Sequence, residues 1–358
     1  MGNSRPEPIA RADAGELLEL VTTIFQRCGM AEDDAALLAD SLTAADLRGV
    51  NSHGVLRVPE YIKKLTTGGV DPRGQPKVVQ DAGACLVVDG GNSMGQIGTA
   101  FAMERALDRA ASTGIAAAAI RGSNHNGAMA YYAMKALPRG MIGLATTNAL
   151  PVMAPWGGTE RLLGINPLGV AIPAGDELPI VYDAAFSGSS HGKIRVYQQR
   201  GQRLPEGWAL DADGRPTTDP TVAIDGLLAP IGGYKGTALA MIMGIMSSML
   251  SGAAYGTELG DLKVGPEPGR DGHFLLAINI AAFTDAASFK RRVDAAIRQI
   301  HAGRKAPGVE RLFAPGELEF ANEVVNRREG ILLNAATLAD VRSSAERLGI
   351  ALDRYAWL

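Results

Sequence analysis

Apolar residues recur at helical spacing early in the chain. Leu17, Leu18, Val21, Ile24 and Phe25 mark one amphipathic helix, and Ala35, Leu38, Leu42 and Ala45 mark a second that Gly49 and Asn51 interrupt. Pro59 fixes the start of a third. A residue without an N–H is tolerated only in the first helical turn, so this helix is expected to begin near Val55 or Leu56, with Ser52 or Asn51 available as its cap. From Lys77 the pattern changes to short β-type runs: CLVVD at Cys85, IAAAAI at Ile115, MIGLATT at Met141, then LGVAIP, PIVYD and HFLLAINI. Helical stretches at Gly98 to Ser112 and Met129 to Leu137 fall between them. The alternation predicts an α/β fold, a mixed sheet with helices against it. Gly201 to Pro220, dense in turn residues, predicts a surface loop, and Ala335 to Gly349 returns to helix.

An uncharged run from Thr237 to Thr257 is long enough for a bilayer span. Its Gly, Ser, Ala and Met content and the lack of a cationic cluster after it favour a buried helix instead. A length of 358 residues suits two or three packed subdomains with room for a cleft. A formal charge of −3, with no basic run beyond a triplet such as Lys290-Arg291-Arg292, argues against nucleic acid or an anionic membrane as partner. Two isolated cysteines, Cys28 and Cys85, make neither a disulfide framework nor a zinc site, and the opening MGNSRPEPIA lacks a signal-peptide core. The expected compartment is the cytoplasm.

Candidate chemistry begins at VNSHGVLRVPEYIKKL. His53 falls just ahead of the third helix, and Arg57 and Tyr61 follow at four-residue intervals on one face. An imidazole, a guanidinium and a phenol make a poor core face and a reasonable pocket wall. The arginine fork suits a carboxylate, and the imidazole can exchange the proton of a 2-hydroxy acid. A solvated helix start is the other reading of the same residues. His125, in SNHNGAMAYYAM, lies where a strand gives way to a helix, as a functional group or as a local cap. The five histidines are scattered singly, so no metal site is expected. There is no G-x-S-x-G elbow, and GGNSMGQIG and IGGYKGTALA match neither the G-x-G-x-x-G fingerprint nor the P-loop. Yet Gly232-Gly233-Tyr234-Lys235-Gly236 runs straight into the apolar helix, a setting that suits a cofactor phosphate or merely a solvated lysine.

Taken together, SHGVLRVPEYI, SNHNGAMAYYAM, TTNALPVMAPWGGTERLLGINPLGVAIP, GKI, LPEGWALDADGRPTTDP, GGYKGTALAMIM and APGELE resemble the type-2 malate/L-lactate dehydrogenase family over nearly the whole chain. That family also holds ureidoglycolate, sulfolactate and diketogulonate dehydrogenases and cyclic imino acid reductases. The resemblance implies an oxidoreductase using NAD or NADP on a non-Rossmann, sulfolactate-dehydrogenase-like fold, and a homodimer. It implies a helical substrate-side part over residues 1–75 joined by 315–358, and a cofactor-binding sheet domain over 76–314 that includes an apolar helix over 237–254. It places the catalytic histidines at His53 and His125 and the carboxylate-binding arginine at Arg57; Tyr61, on the same helix face, is expected at the substrate with it. Cofactor contacts fall on Asn148, on Pro179 to Ala185 (Ile180, Val181, Asp183 and Ala185 among them), on Tyr234 and Lys235, and on Gly316 and Glu317.

The chain departs from the family at Asn126, where an aromatic residue is common, and at Ala184-Ala185-Phe186-Ser187, where many members read Ala-Thr-Ser. These positions border substrate and cofactor, so the substrate and the choice of NAD or NADP stay open. The expected activity is interconversion of a small 2-hydroxy acid and its 2-oxo acid. Reduction of a cyclic imino acid, and a carboxylate-binding protein without turnover, are the alternatives.

Overall fold

The computed structural model describes residues 10–199 and 201–358; the first nine residues of the expected helical part lie outside them. The chain begins with β1 (Ala10–Ala12), α1 (Ala14–Arg27), α2 (Glu32–Leu47) and α3 (Val58–Thr66). The sheet region follows with β2 (Lys77–Ala82), β3 (Cys85–Asp89), α4 (Gly95–Thr113), β4 (Ile115–Ser123), α5 (Met129–Ala133), β5 (Met141–Thr147), β6 (Leu168–Ile172) and β7 (Ile180–Ala184). Then come α6 (His191–Gln199), β8 (Ala209–Leu210), β9 (Pro216–Thr217), α7 (Pro220–Asp225), β10 (Leu227–Leu228) and α8 (Tyr234–Ser248). The chain closes with β11 (Asp271–Asn279), α9 (Ala286–His301), α10 (Glu317–Glu329), β12 (Ile331–Leu333) and α11 (Ala335–Arg347).

Seven strands form the central sheet in the order β2-β3-β4-β11-β5-β6-β7. Within it only β3 and β4 pair in parallel, and α4 makes the crossover that such a pair requires. The fold is therefore α/β but not the doubly wound parallel sheet of a Rossmann domain. Alanines along β4 and on α4 let the helix lie close to the sheet, with Met103 and Leu107 filling the space between. A separate core gathers Leu17, Leu20 and Phe25 of α1 with Leu38 and Leu42 of α2, Val58 and Tyr61 of α3, and Val341 of α11. Antiparallel pairing of β1 with β12 joins the two chain ends to that layer.

Several helix boundaries follow from caps. Asp13 accepts from the N–H groups of Gly15 and Glu16 at the start of α1, and Asn334 accepts from Thr337 at the start of α11. The third helix starts later than its proline suggests. Asn51–His53 and Val55–Arg57 form two tight 3₁₀ turns, and α3 begins at Val58 without a side-chain cap. The Met129 helix is α only to Ala133; Met134–Arg139, containing Pro138, continues as 3₁₀. The turn-rich Gly201 to Pro220 stretch carries β8 and β9, two-residue strands that form a small sheet in which β8 lies between β10 and β9.

The uncharged run holds the largest correction. Its helix is α8, 15 residues from Tyr234 to Ser248, and it is not buried all round. Gly236, Ala240, Gly244, Ser247 and Ser248 face inward, while Leu239, Met241 and Ile242 are 44%, 50% and 49% exposed. Among the described residues no helix is long and apolar enough to cross a membrane.

Candidate active site

Strand register brings the candidate residues to one end of the sheet. Ser123 at the end of β4 pairs with Asp271 at the start of β11, and His273 pairs with Thr147 at the end of β5. The end of β7 comes to the same side through Leu168, which pairs with Ala184 and also with Thr146. His125, Asn148, Asp183 and Ala185 follow or end these strands. The turn before α8 is tied to them, because the Ile231 N–H donates to Phe186 at 2.9 Å and Ser187 bridges Pro230.

The helical layer supplies the other wall. Asp46, at 2% exposure, accepts from the Val55 N–H at 2.7 Å and from the Asn51 amide at 2.9 Å. Its carboxylate lies flush against Gly54, where any Cβ would collide with it, which explains the glycine after His53. Burial pushes Asp46 up to about 7, against the opposing pull of these two hydrogen bonds. Asp46 thus pins the two 3₁₀ turns that carry His53 and Arg57. Gly95 plays the matching part across the cleft. A Cβ there would strike the backbone of Asn124 and His125, so its absence lets α4 start against the loop that presents His125.

The two histidines meet. Their rings are parallel within 5° with centroids 5.9 Å apart. The Ser52 hydroxyl is 3.0 Å from His53 Nδ1, and the Tyr61 hydroxyl is 2.7 Å from His125 Nδ1. Behind Tyr61, the Gln96 amide nitrogen donates to the phenol oxygen at 3.0 Å. His273, fully buried, has one ring nitrogen 2.8 Å from Thr147 Oγ1 and the other 2.8 Å from Ser123 Oγ. Desolvation, with the Arg57 charge second, pushes His53 down to about 4. The same two causes, with His53 and His273 adding to them, hold His125 well below the usual imidazole range. Both rings are neutral at pH 7, and both keep partial exposure to the cleft.

The candidate residues fare differently. Arg57 stands beside the histidines with Nη1 2.7 Å from Glu60 and Nε 2.9 Å from the Ser52 carbonyl. Tyr61 is wholly buried, its hydroxyl held between His125 Nδ1 and the Gln96 amide. The Asn148 side chain joins the Ala254 carbonyl at 2.7 Å to the Gly272 N–H at 3.0 Å. Asp183, on the edge strand, accepts from the Ala130 N–H at 2.7 Å at the start of α5. Val181 donates to the Pro315 carbonyl at 2.9 Å, and Gly316 rests on Val181 beside Ile180. The Glu317 carboxylate turns inward to the Ala314 N–H at 2.9 Å. Tyr234 and Lys235 are exposed at the open N-terminus of α8. Asp46, Gln96 and His273 carried no sequence signal of their own.

The turn before α8 has the chemistry to hold an anionic group such as a cofactor phosphate. Gly232 and Gly233 have φ of 61° and 65°, and the space above Gly232 is open. The first-turn N–H groups of α8 lack intrahelical partners, and Lys235 adds a charge beside them. Among the described residues no cluster of three or more histidine, cysteine, aspartate or glutamate side chains is placed to hold a metal. A surface cavity of about 660 Å³ between α1 and α2, lined by Leu18, Thr22, Leu37 and Asp40, contains none of these groups.

Residues 12–342 match the family model described as malate/L-lactate dehydrogenase. The chain is 35% identical over 352 residues to a malate dehydrogenase of Pyrococcus abyssi, covering 96% of both chains. It is 33% identical to a Delta(1)-pyrroline-2-carboxylate/Delta(1)-piperideine-2-carboxylate reductase of Pseudomonas putida, covering 95% of this chain and 98% of the reductase. The solved sulfolactate dehydrogenase of Methanocaldococcus jannaschii superimposes with a TM-score of 0.92 at 34% identity, over 96% of this chain and 99% of that one. The chain belongs to the malate/L-lactate dehydrogenase family and is an oxidoreductase of that class.

Proposed function

We propose that the protein interconverts a small 2-hydroxy acid and its 2-oxo acid with NAD(H) or NADP(H), Arg57 holding the carboxylate and His125 exchanging the hydroxyl proton. The observation that carries this reading is the pairing of two neutral, stacked histidines beside a guanidinium at the end of the sheet that also bears the glycine turn. A neutral imidazole is the form that takes a proton from an alcohol. The bound nicotinamide supplies or accepts the hydride. Arg57 orients the carboxylate, with Glu60 as the partner its guanidinium exchanges for substrate. His53 closes the cleft over the reacting carbon. We read the helical layer as the substrate side and the sheet end as the cofactor side, in line with their separate cores.

A panel of 2-oxo acids and cyclic imino acids, each assayed with NADH and with NADPH, tests the reading. Turnover of at least one 2-oxo acid is expected, and turnover of imino acids alone would replace it with the reductase alternative. The glycine turn has its own test. Lys235→Ala is expected to weaken binding of the reduced cofactor about tenfold, the loss of one charged hydrogen bond. Fluorescence titration of the cofactor measures it; unchanged affinity would remove Lys235 from the site.

The exposed face of α8 fits a homodimer. Trp156, Ile231, Met249 and Leu250 are 67%, 50%, 57% and 58% exposed and extend the apolar surface of Leu239, Met241 and Ile242. Monomers seldom leave so much apolar surface in water. The combined change Ile242→Glu and Met249→Glu is expected to halve the solution mass seen by light scattering. A wild-type monomer, or a double variant of unchanged mass, would contradict that interface. Cys28 and Cys85 are unpaired, which suits a reducing, cytoplasmic setting.

A further inference from the structure

Gln96 is the second residue of α4 and is wholly buried. Its amide nitrogen donates to Tyr61, while its Oε1 has no partner among the described residues. Tyr61 in turn reaches His125 Nδ1, so the three side chains form a hydrogen-bonded wire from the core to the histidine's inner nitrogen. A buried amide oxygen left unpaired is disfavoured, and this one belongs to the side chain that bonds Tyr61, the support of His125.

A phenol has one proton, so the direction of the wire decides the tautomer of His125. When Gln96 donates to Tyr61, Tyr61 donates to Nδ1 and the neutral ring carries its hydrogen on Nε2. When the amide is turned over, Tyr61 donates to Oε1 and accepts from Nδ1–H, and the Nε2 lone pair faces the cleft. Only the second direction lets Nε2 take the hydroxyl proton during oxidation and return it during reduction. His125 then passes between imidazole and imidazolium while Nδ1–H stays in place, so each proton gained at Nε2 is the one lost by the alcohol. Glutamine offers a donor and an acceptor at equal reach and serves both directions.

We propose that Gln96 is a positioning residue that sets the direction of this wire, its amide reversing to switch His125 between a resting and a proton-accepting tautomer. The proposal rests on His125 being the proton-exchanging group.

Gln96→Leu leaves Tyr61 free to donate to Nδ1 and should trap the resting tautomer. We expect kcat to fall roughly tenfold or more with the cofactor KM unchanged, as wrong-tautomer variants do elsewhere. Gln96→Glu keeps an acceptor at the same reach and should restore turnover to within about threefold of wild type. NMR of histidine-labelled protein distinguishes protonated from bare ring nitrogens without any turnover, with His125 assigned from the His125→Asn variant. Wild type with cofactor and oxamate bound should show a protonated Nδ1, and Gln96→Leu a bare one. Wild-type kcat in Gln96→Leu, no rescue by glutamate, or a bare Nδ1 in the wild-type oxamate complex would each overturn the proposal. Unchanged turnover in His125→Ala would instead overturn the underlying assignment, which the NMR result does not depend on.

Discussion

His125→Ala lowers turnover by about 10² to 10⁴, the usual worth of positioned acid–base catalysis, while the reduced cofactor still binds. The expectation follows from the contrast between the two histidines. His125 is braced from behind by Tyr61 and Gln96, whereas the partner of His53 is the hydroxyl of its own neighbour, Ser52. A proton-exchanging ring has to be held at one nitrogen while the other works, and the brace on His125 does this from the protein core. His53→Ala should therefore cost less, about tenfold, and show itself mainly in the substrate KM. Single-turnover rates and cofactor titrations of both variants check the assignment. A near-normal His125→Ala beside a dead His53→Ala would reverse the two roles.

Arg57→Met reduces kcat/KM by at least about a hundredfold, because two charge-assisted bonds to a carboxylate are each worth about 1.5–3 kcal/mol. Arg57→Lys recovers only part of the loss, since an ammonium cannot make the paired contact. A pH effect accompanies it. The Arg57 charge is second only to burial among the causes that depress both histidines, so its removal moves their pKa values upward. Oxidation needs the neutral ring, which is lost as pH falls through the pKa; the acid limb of kcat/KM therefore shifts to higher pH in Arg57→Met. A hundredfold loss without that shift would place Arg57 at the substrate but away from the histidines.

Most strands and the two N-terminal helices were legible in the sequence, because apolar periodicity and turn residues act locally, and His53 and His125, singled out separately, do come together. What was not legible depends on contacts distant in the chain. Gln96 reaches Tyr61 across 35 positions, and GGNSMGQIG could be weighed only as a failed nucleotide fingerprint. Its glycine in fact permits α4 to approach His125, and its glutamine supports Tyr61. Asp46 sat in an ordinary helical pattern, yet its carboxylate shapes the loop that carries His53 and Arg57. The α8 segment shows another limit. Hydropathy says that an apolar face needs covering but not by what, and small residues took the inner side while the large ones stayed outside. Asn148 shows the same dependence on distant contacts, its side chain reaching Ala254 and Gly272 where no local pattern announces it.

The central claim is hydride transfer between a nicotinamide and C2 of a 2-oxo acid, with the proton added separately by the protein. Reduced cofactor deuterated at C4 of the transferring face, incubated in ordinary water with enzyme and the best 2-oxo acid of the panel, tests it directly. Mass spectrometry should find one deuterium at C2 of the 2-hydroxy acid product and a hydroxyl that exchanges freely with solvent. Product formed without deuterium, or no cofactor oxidation with any 2-oxo acid, would contradict the account.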